Sequence, residues 1–196
     1  MINESFIWDR LRSWCNNKNA VAGIMANIQA ESAYRANNLQ NSYNSKLGYT
    51  DEQYTQALDN GEYSEDQFIN DHAGYGLCQW TFWSRKKAMY RFLRDRGFSI
   101  GSLEGQLAFL EYELKNSYPT VLKAVIAAKT PEEAATIILK QYEKPADQSP
   151  AACERRGKMA REIFEKYNTL EKPGSDTIKE HILQIESHLQ AIKDLL

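Results

Sequence analysis

Wherever this sequence carries a long hydrophobic period it is the 3.6-residue one, and no alternating run competes with it in length. The fold class is therefore mainly α. Helices are predicted over roughly 3–15, 20–32, 83–96, 102–116, 119–128, 131–142, 150–167 and 176–196, with ends good to about 2–4 residues. Two starts carry their own signals. Thr130-Pro131-Glu132-Glu133 supplies an N-cap, a proline at the first helical position and first-turn acids, and Ser149-Pro150 repeats the device. The intervening 142–148 reads as a loop, because Pro145 would break a continued helix. The stretch 34–73 is polar and rich in Asn, Tyr, Asp and Gly. It is expected to be an elaborated loop with short helices across 51–59 and 64–70, walling a cleft.

The length of 196 residues suits one domain plus an appendage. The expected division is a domain over 1–170, a linker over 171–175 around Pro173-Gly174, and an amphipathic helix over 176–196. Ile178, Ile182, Ile185, Leu189, Ile192 and Leu196 are spaced four, three, four, three and four, an a/d seam of fewer than three heptads. It is read as a self-association, partner-binding or docking segment.

With 24 basic and 26 acidic residues the net charge is −2, which excludes a general nucleic-acid binder. Local charge is uneven. Residues 51–71 hold seven acids and no Lys or Arg, whereas 82–96 hold six basic residues and one acid, as two solvated faces that lie near one another would. Cys15, Cys78 and Cys153 are well separated and form no CxxC pair, so they are read as reduced thiols. Neither metal nor cofactor is expected. Cys78 as a nucleophile finds little support from His72, the nearest histidine in sequence, and reads better as a small buried residue. The amino terminus lacks a basic stretch followed by an apolar one, and no segment approaches a membrane span. The expectation is synthesis in a cytoplasm without a signal peptide and no membrane insertion.

Two segments point to chemistry. Ile24, Ile28 and Glu31 share a helix face, so the Glu31 carboxyl is expected near the last turn against an apolar stripe, where it is costly to ionise. A raised pKa is what a general acid needs near neutral pH. About forty residues later, Gly74-Tyr75-Gly76-Leu77-Cys78-Gln79-Trp80 combines glycines that permit close backbone approach with aromatic faces and an amide, and Trp83 adds another face. Sugar rings have matching apolar faces. The bland alternatives are a solvated helix end for Glu31 and a glycine turn with buried aromatics for the second segment.

In these residues the chain resembles the lysozyme-like superfamily, in particular the phage tail lysozyme and endolysin glycosidase domains. The likeness spans about 6–167 and rests on Val21 to Ser32, on Ala73 to Thr81 with Arg85 following, and on Tyr142-Glu143-Lys144-Pro145. The resemblance implies a two-lobed helical domain with a groove that cuts the β-1,4 glycan backbone of bacterial peptidoglycan, with Glu31 as general acid. It further implies that Tyr75, Gln79 and Trp80 line the groove, with Tyr142 and Glu143 in or behind its wall. For a second carboxylate the first choice is Asp71, immediately before the glycine turn, with Glu62, Glu65 and Asp66 as alternatives. A lytic route in which the sugar's own hydroxyl attacks needs no second carboxylate. The competing reading is a non-catalytic glycan-binding or phage assembly module.

Overall fold

The computed structural model describes residues 2–170. The linker expected at 171–175 and the amphipathic helix expected at 176–196 lie outside them. The chain divides into two compact units, 1–163 and 164–196. The site and the packing described below belong to the first unit; in the second, residues 164–170 are helical.

The described residues form helices α1 (Ile2–Arg12), α2 (Lys18–Ser32), α3 (Asn41–Leu47), α4 (Asp51–Asn60), α5 (Glu65–Asn70), α6 (Trp83–Arg94), α7 (Leu103–Asn116), α8 (Pro119–Ile126), α9 (Pro131–Ile137) and α10 (Pro150–Leu170), with a π-helical turn at Ile138–Glu143. Among them there is no strand, only isolated bridges pairing Tyr75 with Leu39 and with Trp80. The expected caps are present. Thr130 accepts from the Glu133 N–H at 3.1 Å and Ser149 from the Ala152 N–H at 3.2 Å.

Helix α2 is the axis of the unit. From Ala20 to Ile28 every residue is buried, so the helix is enclosed on all sides rather than along one stripe. It packs on α1, α8, α9 and the π turn. Contact with α9 is close because Gly23 faces Ala134: a Cβ at position 23 would lie 2.5 Å from the Ala134 Cβ. Asn27 ties the two helices, donating to the carbonyls of Gly23 and Ala135 at 2.9 and 3.0 Å. A second group, α5, α6 and α7, packs in sequence and joins the first through α1–α7 and α7–α8 contacts.

The stretch 34–73 departs from the expected loop. It contains three helices, α3 among them unforeseen, and two of these start with full capping boxes, Thr50/Gln53 and Ser64/Gln67. Tyr49, Tyr54, Tyr63, Phe68, Tyr75 and Tyr90 form a linked cluster with ring centroids 5.2–6.3 Å apart. This apolar centre is what holds a polar segment in regular structure. The acidic stretch and basic helix do meet, through Lys86–Asp71, Arg91–Glu65 and Arg94–Asp59 ion pairs.

Candidate active site

A groove of about 960 Å³ opens where the end of α2, the 70–85 segment and the π turn converge. Glu31 enters it from the last turn of α2, after the fully buried stretch has ended and Gln29 and Ala30 have reached the surface. The helix stops there because Ala33 is left-handed, φ 51°, with its N–H closing on the Gln29 carbonyl. Ser32 fixes this end by donating to the Leu77 carbonyl at 2.9 Å, so the glycine segment is tied to the helix that carries Glu31.

The Glu31 carboxyl meets Arg156 of α10, at 2.5 Å, rather than the expected apolar stripe. Arg156 also donates to the Asn27 carbonyl at 2.9 Å, which anchors the guanidinium to the α2 backbone. Sequence reasoning missed Arg156. Its signal is a cation on the buried stripe Ala152, Ala160 and Ile163 of α10.

Of the residues expected around Glu31, Gln79, Tyr142 and Glu143 line the groove. Tyr75 and Trp80 do not: both are wholly buried. Tyr75 bonds Thr55 at 2.6 Å and Trp80 donates to Glu113 at 3.1 Å. The glycines serve the same inward packing. A Cβ on Gly76, where φ is 79°, would fall 2.4 Å from the Gln106 side chain, and one on Gly74 would lie 2.8 Å from Gln79. Backbone closes there on protein, not on a ligand. The aromatic faces open to the groove belong to Phe82 and Trp83, 61% and 53% exposed, with Tyr118 on the wall. Large exposed rings in a concave site are unusual enough to mark a binding surface.

Asp71 is likewise absent from the groove lining. Its carboxylate receives Lys86 at 2.5 Å, the Tyr54 hydroxyl, the Tyr63 hydroxyl at 3.4 Å and the Ala73 N–H at 2.8 Å, and its side chain is 2% exposed. It is a buried ion pair that fixes the start of the glycine segment. The alternatives Glu62, Glu65 and Asp66 do not line the groove either.

Besides Glu31, the carboxyl in the groove lining is that of Glu143. It ends the π turn, before Lys144 turns left-handed at φ 50° and Pro145 follows. One carboxyl oxygen, Oε1, is buried without a hydrogen-bond partner. Burial, and then the nearby Glu31, push this carboxyl up to about 8, against a smaller opposing pull from Arg85. Burial and the neighbouring Glu143 also raise the Cys78 thiol, which argues against a nucleophilic thiolate there. All three cysteines are free, as expected.

Behind the groove, Glu113 of α7 receives Arg85 twice at 2.8 Å, Trp80 at 3.1 Å and Tyr142 at 2.6 Å, while Arg85 stacks 4.5 Å over the Tyr142 ring. This hub went unread in the sequence. Its signal is an acid on the otherwise buried face of α7 beside Leu110 and Leu114. Non-glycine residues with positive φ gather at this site: Gln79 at 43°, His72 at 63° and Lys144 at 50° line the groove, and Ala33 and Tyr34 follow Glu31. Such strain clusters where geometry serves a ligand. Residues 3–167 match the family model described as phage tail lysozyme.

Proposed function

The chain belongs to the phage tail lysozyme family, lysozyme-like glycosidases directed at the peptidoglycan of the bacterial wall, and on that premise we propose that it hydrolyses the β-1,4 glycan backbone as a muramidase, with Glu31 as general acid. The observation that carries this reading is Glu31 itself. It emerges from a helix buried over Ala20–Ile28 into a groove whose lining includes the exposed rings of Phe82 and Trp83. Glycoside cleavage passes through an oxocarbenium-like transition state and needs a proton delivered to the leaving oxygen. A carboxyl clamped by Arg156 has the fixed direction such delivery requires.

Gln79 is the polar group proposed to meet the sugar, and Trp83 and Phe82 its stacking platform, while Tyr142, buried with its hydroxyl on Glu113, backs the wall. Tyr75 and Trp80 act indirectly, by shaping the wall, and Asp71 by holding its first turn. The protein acts on the wall after release at lysis or as part of a phage particle.

The test is lysis of purified cell walls. Glu31→Gln keeps the shape of the side chain but has no proton to give, so activity should fall by about 10²–10⁴-fold while the melting temperature stays near wild type. Equal lysis by both proteins ends the proposal. Mass spectrometry of the digest should show muramic acid at the new reducing ends. Binding to walls with no new reducing ends from the wild type would instead favour a glycan-binding or assembly module.

A further inference from the structure

Glu143 has one unsatisfied carboxyl oxygen in a place where most buried polar groups are saturated. Its Oε1 is buried and unpartnered, a condition that is unfavourable in the absence of a compensating role. It stands on a π turn, a helical irregularity that recurs at functional sites. Around it are Glu31 from α2, Cys78 from the glycine segment, Arg85 from α6 and Arg156 from α10, with Tyr142 beside it and Glu113 of α7 beyond. Both cations pull against the rise of its carboxyl, but each is hydrogen-bonded elsewhere. Arg85 spends its guanidinium on Glu113 at 2.8 Å twice, and Arg156 spends its own on Glu31 at 2.5 Å and Asn27 at 2.9 Å.

We propose that Glu143 works through Glu31 as the proton store of the groove, the two carboxyls sharing one proton between them. The inference rests on Glu31 being the donor to the sugar. In the resting groove the proton sits on Glu143 while Glu31 is held by Arg156. The proton passes from Glu143 to Glu31 and from Glu31 to the glycosidic oxygen, and the C1–O bond breaks with its electron pair leaving on that oxygen. Water then adds to C1, and the proton it gives up returns to Glu143, so the cycle consumes one water and no net proton. Two nearby carboxyls in a poorly hydrated site favour such sharing, because the second cannot ionise without facing the first. The push of Glu143 up to about 8 keeps the store filled at neutral pH. Glu143 is thus a positioning residue for the proton, not a group in contact with the sugar.

The decisive measurement is the pH profile of wall lysis for the wild type, Glu143→Gln and Glu31→Gln. Glutamine keeps the shape of a neutral carboxylic acid but cannot pass its proton on. The wild type should hold its activity until close to pH 8, following the store. Glu143→Gln should lose at least about tenfold at neutral pH, with the alkaline limb displaced toward acid and the deficit shrinking near about pH 5. A deficit equal at every pH, or none, overturns the proposal, because a purely structural role scales the whole profile. Glu31→Gln separates this from failure of the parent reading: substantial lysis by that variant discards Glu31 as donor, whatever Glu143 does. Should Glu143→Gln fold poorly, the infrared carbonyl band of a buried carboxylic acid in the intact protein takes its place. That band should persist at neutral pH and bleach near pH 8, and its absence at about pH 6 overturns the proposal.

Discussion

Asp71 and Glu143 are two acids set in the walls of one domain, and their surroundings are opposites. Asp71 is saturated: an ammonium, two phenols and a backbone N–H converge on it, and its partner Lys86 also donates to the Ala73 carbonyl at 2.9 Å and lies 4.2 Å from the Phe68 ring. No lone pair is left for a substrate. Glu143 keeps a buried oxygen open and shares the groove with a second carboxyl. The difference separates a carboxylate that holds the chain together from the acid proposed to store a proton. Position in the sequence favoured Asp71, whereas hydrogen-bond saturation favours Glu143.

The comparison can be broken from either side. Lys86→Ala should have the largest effect, since it leaves a buried carboxylate unpaired. A loss of about 3–5 kcal/mol in urea unfolding is expected, and a loss below about 1 kcal/mol would mean that the Asp71 pair is not structural. Next in size is a pH effect from the Glu143 side. The folded state keeps the Glu143 proton up to about 8, while the unfolded chain releases it near the ordinary value of 4.5. Between those limits the native state binds more protons, so this contribution to stability is intact at low pH and is lost as pH rises through the window. Wild-type stability followed across that range should decline more steeply than that of Glu143→Gln, and parallel curves would contradict the placement of the proton. The smallest effect sharpens the contrast between buried and open rings. Trp83→Ala should leave stability within about 0.5 kcal/mol and raise KM several-fold, corresponding to about 0.5–1.5 kcal/mol of lost ring contact. An unchanged KM would remove Trp83 from the platform.

The helices and their caps were legible because their determinants are local. Thr130-Pro131 and Ser149-Pro150 act within one turn, and the Pro145 break falls where Lys144 turns left-handed. Glu31 was legible as the end of an enclosed helix. The directions of the 74–80 rings were not, since residue type does not say which way a turn aims them; the positive φ at Gly76 and the bulk of Gln106 send Tyr75 and Trp80 into the core. Arg156 and Glu113 were missed because their partners are 125 and about 30 residues away in sequence. A charged side chain on a buried stripe was the available sign in both. Helix α3 has Asn, Ser and Tyr where stronger helix formers would announce it, and the Gly48 cap closes it.

The contact between Gly23 and Ala134 is buried and takes no part in lining the groove. Glu31 is eight residues further along α2, about 12 Å by helical rise, and Glu143 is nine residues beyond Ala134 in the opposing segment. The two acids are therefore carried by segments that pack on one another where position 23 has no methyl group. A side chain larger than hydrogen at position 23 would have to part α2 from α9, so Gly23→Ala is expected to disturb the proposed proton store from outside the groove.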